Sequence, residues 1–323
     1  MRPSGGVLQS LMLGEAGRLP MWVPIGLAEP SEPVQVLLEG LRETIDVTRN
    51  NVVVDMHPLC VAIRLADARV AGRSRGPRLW LSFWERSSGR PLGHIRLKPS
   101  GRIPLRDDAL HLFITSGCTN LTAEAPRVRA AYLYEAGRLL FDRNPDNEKM
   151  INSQLFCMWL LYCRPRPMAF VSFLHEGEGN ILPMDLIGDT DSPYFLLSLD
   201  RRRPSLPAIT AAGRVALSSM PLQATPHLFA LGGNHRMARV DWAALPFATV
   251  PSAEYGIPIP ADALDVRELE IHQTADAPTH RVLIATTTRW ERRAKGSTLC
   301  LLHRLYHHTL MRQGKAAPHH AKN

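Results

Sequence analysis

Residues 163–219 read CRPRPMAFVSFLHEGEGNILPMDLIGDTDSPYFLLSLDRRRPSLPAITAAGRVALSS. Short apolar runs at Met168 to Leu174, Asn180 to Leu186, Tyr194 to Leu199 and Arg214 to Ser218 alternate with turns rich in Gly, Pro and Asp, the pattern of strands in a mainly β protein. Between the third and fourth runs, Leu199-Asp200-Arg201-Arg202-Arg203-Pro204-Ser205 leads from a strand into a helix that ends near Ala212. Unpaired amides at such a helix start, together with Ser205 and two or three guanidinium groups, form a seat for a phosphate. The plainer alternative is a solvent-facing turn in which Asp200 pairs with an arginine.

Outward from this stretch, 323 residues exceed the usual single core and predict two domains, a β-rich unit over 1–145 and a second over 146–313, with 314–323 as a flexible tail. In the first, runs at Asn51 to Asp55, Cys60 to Leu65, Arg78 to Trp84, His94 to Leu97, Leu110 to Thr115, Val128 to Tyr134 and Arg138 to Phe141 favour β structure. Val36, Leu37, Leu41 and Ile45 recur at helical spacing and predict a short helix over Val34 to Ile45. Residues 1 to about 30 read as an irregular arm. Asn144-Pro145 and the acidic residues after it predict a helix running to Tyr162. Strands are expected at Leu269 to His272 and Arg281 to Arg289, and a terminal helix over Gly296 to Gln313. Both halves are β-rich, which leaves room for one to be a degenerate copy of the other, although no internal repeat is convincing in the sequence.

Composition narrows the function. Five cysteines, none in a CxxC pair, point to free thiols in a reducing, cytoplasmic setting. No stretch reaches the roughly 18 apolar residues of a membrane helix, and the N-terminus lacks a charged region followed by a compact apolar core, so no membrane partner is expected. The net charge of +8 is spread along the chain, which suits solubility and weak anion steering better than a nucleic-acid face. His303 and His307 fall one turn apart, but no acidic or cysteine ligand accompanies them, and no metal is expected. Cys118, in a small-residue turn, lacks a histidine and acid to activate it.

From about Asn147 to Gln313 the chain resembles the flavin reductase-like family, whose domain is the FMN-binding split β-barrel. The resemblance is carried by Tyr162 to Ser172 as a proline-rich strand opening, Gly179-Asn180 after a hairpin, Ile181 to Gly188 leading into a loop, and Pro193 before an apolar strand. It continues through the Arg201 to Ser205 turn, Gly213 to Leu217, Val240 to Phe247 with Val250-Pro251-Ser252, and Thr279 to Ala285. The resemblance implies a flavin-dependent oxidoreductase that passes hydride from NAD(P)H through bound FMN or FAD to flavin or a small organic acceptor. It also implies a homodimer with the flavin in a groove at the interface. Carried over residue by residue, Arg202, Arg203 and Ser205 are the expected phosphate contacts. Asn180, Met184, Asp185 and Leu186 line the ring or ribityl region, Trp242 and Phe247 cover the substrate side, and His280 orients substrate or donates a proton. The chain departs from the family at Leu182-Pro183-Met184-Asp185-Leu186, where small hydroxyl residues and an aromatic are usual; a carboxylate at Asp185 would repel a phosphate unless an arginine intervened. A non-redox enzyme or a ligand-binding protein on a divergent split barrel is the alternative, with a ligand-free scaffold behind it.

Overall fold

The computed structural model describes residues 14–66, 78–106, 108–141, 152–191 and 193–319. In chain order the elements are β1 (Trp22–Leu27), β2 (Val34–Glu39), β3 (Ile45–Asp46), β4 (Asn51–Met56), β5 (Leu59–Leu65), β6 (Leu79–Glu85), β7 (Arg90–Pro104), β8 (Ala109–Asn120), α1 (Ala125–Phe141) and α2 (Asn152–Leu161). They continue with β9 (Arg166–Pro167), β10 (Ala169–His175), β11 (Glu178–Met184), β12 (Ile187–Asp189), β13 (Tyr194–Asp200), α3 (Ser205–Ala212), β14 (Arg214–Ser219) and α4 (Thr225–Ala230). Last come β15 (Thr249–Pro251), β16 (Pro258–Pro260), β17 (Asp265–Asp276), β18 (His280–Arg292), β19 (Thr298–His303) and α5 (Arg304–Arg312).

Two seven-stranded antiparallel sheets dominate, in the orders β3-β2-β6-β7-β8-β5-β4 and β11-β10-β14-β17-β18-β13-β12. Numbered by their own place in the chain, the strands of both sheets run 2-1-5-6-7-4-3. The halves therefore share one topology, a repeat that the sequence does not display. Each sheet curls into a half-open barrel. In the second, side chains from β10, β11, β13, β14, β17 and β18 meet those of α3 in one buried cluster that includes Val171, Phe173, Leu182, Leu197, Ile209 and Leu283. Strands at the two ends of the sheet order reach that cluster only if the sheet bends round it. The fold is mainly β, with split-barrel sheets.

The repeats pack through their third strands: β4 lies against β12, β13 and β18. Val52, Val54, Cys60, Ala62 and Leu112 of the first half share a buried cluster with Leu196, Ala277, Val282 and Ile284 of the second. Asp55 crosses the seam, its carboxylate accepting from the Thr279 amide and hydroxyl, both at 2.6 Å, and from the His280 amide at 3.1 Å. The Ser198 hydroxyl donates to the Val54 carbonyl at 2.6 Å, and Arg64 donates to the Thr190 carbonyl at 2.9 Å. A three-stranded sheet, β1-β19-β9, joins the N-terminal segment to the C-terminal one.

Four expectations are corrected. Val34 to Ile45 is the hairpin β2–β3, its buried and half-buried residues alternating with period two. Val128 to Tyr134 and Arg138 to Phe141 belong to α1. The first half of the expected terminal helix is β19, pairing with β1, and Trp22 to Leu27 of the expected arm is that partner strand. The helix expected from Asn144 is observed over Asn152–Leu161; 142–151 lie outside the described residues. Among the described residues no helix is long and apolar enough to cross a membrane.

Candidate functional site

Three chain corners meet at one end of the second sheet. β11 finishes at Met184 and hands over to Asp185 and Leu186; β13 finishes at Asp200 and turns through the arginines into α3; β18 starts at His280, opposite Asp200 in the ladder. Between them lies a cavity of about 270 Å³ lined by Met184, Asp185, Leu186, Ser198, Asp200, Arg203, His235 and His280, closed by Trp22 and Tyr162 and by Met56 from the first half. It sits where the two repeats adjoin.

The three arginines of the turn have different partners. Arg201 donates to the Pro278 and Thr279 carbonyls at 2.5 and 3.4 Å. Arg202 folds back on Asp200, with Nη2–Oδ2 at 2.6 Å and Nε 3.1 Å from both carboxylate oxygens. Burial alone would raise the Asp200 carboxyl, but the hydrogen bonds from Arg202 outweigh it and hold the group below the usual carboxylate range. Arg203 is half-buried, lines the cavity, and its guanidinium has no hydrogen-bond or ion-pair partner among the described residues. α3 begins after Pro204 without a side-chain cap, and the Ser205 hydroxyl beneath it is fully buried and unpartnered.

Asp185 accepts a short hydrogen bond from the Tyr162 hydroxyl. Tyr162 in turn packs on Trp22, ring centroids 4.3 Å apart, and the Arg166 guanidinium lies 5.5 Å from the centre of the Tyr162 ring. His280 is held from behind: Nδ1 is 3.2 Å from Asp55 Oδ1 and 3.0 Å from the Thr279 hydroxyl. Burial would raise the Asp55 carboxyl, yet hydrogen bonds from His280, Thr279 and His57 hold it far below the ordinary range. His235, which the sequence reading did not single out, is pushed down by burial and by Arg203, against the pull of Asp185.

The structure brings Met184, Asp185, Leu186, Arg203 and His280 to this one cavity. Asn180 is buried outside its lining and donates to the Asn234 and Met237 carbonyls at 3.0 and 2.7 Å, so it fixes the turn that carries His235. Trp242 and Phe247 are not among the lining residues; Phe247 packs on Phe170 and His227, with centroids at 6.1 and 5.1 Å. Tyr162, Trp22, Met56 and His235 come from distant segments, and no spacing in the sequence marks them. Among the described residues no group of three His, Cys, Asp or Glu is placed to hold a metal ion, and all five cysteines are free thiols.

No protein-family model and no curated protein matches the chain. Solved structures do. An FMN-binding protein from Thermus thermophilus with bound p-hydroxybenzaldehyde is 22% identical over 40% of this chain and 73% of its own, with a TM-score of 0.36. Nitrilotriacetate monooxygenase component B from Mycobacterium thermoresistibile is 19% identical over 47% and 83%, TM-score 0.40. The NADH:FAD oxidoreductase SgcE6 of Streptomyces globisporus C-1027 is 14% identical over 56% and 100%, TM-score 0.43. Identities below 25% and TM-scores below 0.5 leave the function to be read from this chain's own residues.

Proposed function

We propose that the protein is a flavin-dependent oxidoreductase that uses NAD(P)H to reduce a flavin or a small organic acceptor, with the cavity between the repeats as its cofactor site. The observation that carries this reading is the convergence of the β11–β12 corner, the β13–α3 turn and His280 on one cavity that holds an unpaired guanidinium.

Arg203 and the first amides of α3 fit the phosphate of FMN or FAD: an uncapped helix start and an unpartnered cation are what an oxyanion requires. Arg202 reaches such a group only by releasing Asp200. Asp185 is kept from repelling the anion by its hydrogen bond to Tyr162 and by Arg203 across the cavity. When bound, the flavin supplies the hydride chemistry. The chain's own residues supply position: Met184 and Leu186 offer apolar surface to a ring, His280 stands fixed on Asp55 as a hydrogen-bonding group, and Trp22 with Tyr162 screens the site from water. Met56 lines this groove from the first half, and Asp55 beside it holds Thr279 and His280.

The cavity is smaller than the roughly 300 Å³ at which ligand pockets usually begin. That volume favours, as a second reading, a smaller anionic ligand on the same residues. Visible absorbance separates the two. The flavin reading expects purified protein, alone or after adding FMN or FAD, to show oxidised-flavin bands that bleach with NADH or NADPH. It also expects Arg203→Gln to weaken flavin binding by about 1–3 kcal/mol, and Arg202→Gln to change it little. Protein that stays colourless with added FMN and FAD belongs to the second reading.

A further inference from the structure

A second cavity is a cleft of about 660 Å³ between the N-terminal segment, the connection before β9 and the barrel end of the second sheet. Its interior holds two arginines, Arg164 and Arg166, brought together by the Arg-Pro-Arg-Pro sequence ahead of β10. Arg166 is 4% exposed, and its Nε and Nη2 have no hydrogen-bond partner; Arg164 is left with an unpartnered Nε, its Nη1 reaching Asn51 Oδ1 at 3.3 Å. Among the described residues neither makes an ion pair with a carboxylate.

Four carboxylates also line the cleft. Asp189 is engaged by Arg267 at 2.6 Å, Glu29 by Arg49 at 3.8 Å, Asp265 by Arg292 at 3.9 Å, and Asp191 lies exposed at the mouth. Three of the four thus stand beside arginines, although Asp265 Oδ1 is buried without a hydrogen-bond partner, and the two interior guanidinium groups keep free donors. One wall is apolar and flat: the Arg267 guanidinium is layered between Phe195 and Trp290, 5.0 and 5.3 Å from their centres, beside Ile187, Met168 and Leu217. Burial and the neighbouring Arg166 push Arg164 down to about 9, against the pull of Glu29. Buried N–H donors without acceptors are costly, and native proteins rarely leave them so unless something else accepts from them.

We propose that this cleft is a second ligand site, for a planar aromatic anion whose carboxylate or phosphate accepts from Arg164 and Arg166 and whose ring lies on the apolar wall. The proposal does not depend on the flavin reading, because Arg203 and His280 belong to the other cavity.

Calorimetric titration of the full chain with benzoate, phenyl phosphate and the neutral isostere benzamide tests it. At least one of the two anions is expected to bind, with benzamide ten-fold weaker or worse, and Arg166→Met is expected to lower anion affinity ten-fold or more. Preference between benzoate and phenyl phosphate identifies the anionic group. Because a buried substitution can also disturb folding, Arg267→Ala on the half-buried wall serves as the second variant, with an expected loss of three-fold or more and an unchanged circular dichroism spectrum. Equal binding of benzamide and both anions, no binding of either anion, or unchanged affinity in a folded Arg166→Met protein would each overturn the proposal.

Discussion

Single residues carry the chemistry and part of the cohesion of this protein. Among the three consecutive arginines of the β13–α3 turn, the backbone leaves only Arg203 facing the cavity without a partner, so identical side chains in sequence become unequal in space. Asp55 is the corresponding case for cohesion. Its carboxylate is fully buried and accepts from two backbone amides of the other repeat. Asp55→Ala is expected to cost about 2–4 kcal/mol in urea unfolding, because charged-acceptor hydrogen bonds are lost and the amides are left buried. The same substitution releases His280 from its support, so any activity assigned to His280 should fall with it.

At the scale of elements, β12 and α5 make separate predictions. A Cβ at Gly188 would stand 2.9 Å from Val52 Cγ2 on β4, so Gly188→Val drives a wedge between the repeats; a loss of about 1–3 kcal/mol by thermal or urea unfolding is expected. α5 and its start carry His303 and His307, both buried with both ring nitrogens unpartnered. Burial, with His319 and His308 nearby, lowers His307 to about 4, and burial beside Arg304 lowers His303 as well. A histidine whose folded pKa is depressed stabilises the fold fully above its unfolded value near 6.5 and loses that contribution as pH falls toward the folded one, so stability should drop by about 2–3 kcal/mol between pH 6.5 and 4 for His307 alone. His307→Leu should flatten that part of a pH–stability curve. The same elements show what the sequence discloses. Short apolar runs such as Cys60 to Leu65 and Tyr194 to Leu199, nearly continuously buried, announce strands because they are brief and bounded by turn residues. Leu299, Leu302 and Leu305 mislead because a strand leads directly into a helix there and the mixed spacing mimics one continuous helix. Arg203 was readable as a candidate from the turn and His280 from the resemblance; Tyr162, His235 and Trp22 were not, since only the tertiary fold brings their segments together.

On the scale of the whole molecule, a core is shared between the halves, although the second sheet also has one of its own. One buried cluster runs from Val36, Leu81 and Phe113 of the first half through Trp159 and Leu160 of α2 to Phe170, Ile181 and Ala216 of the second. Urea unfolding followed by tryptophan fluorescence and by circular dichroism is therefore expected to give one coincident transition; two separated midpoints would mean that the seam is weaker than the cores it joins. The matching strand orders bear on more than stability. In an assembly of two identical chains, every substitution is copied across the symmetry axis, and paired pockets must change in step. Here each corner is encoded once, so a carboxylate such as Asp185 can arise beside one groove while its topological counterpart keeps a different side chain. Covalent joining of the repeats frees the molecule to specialise its two faces for unlike ligands.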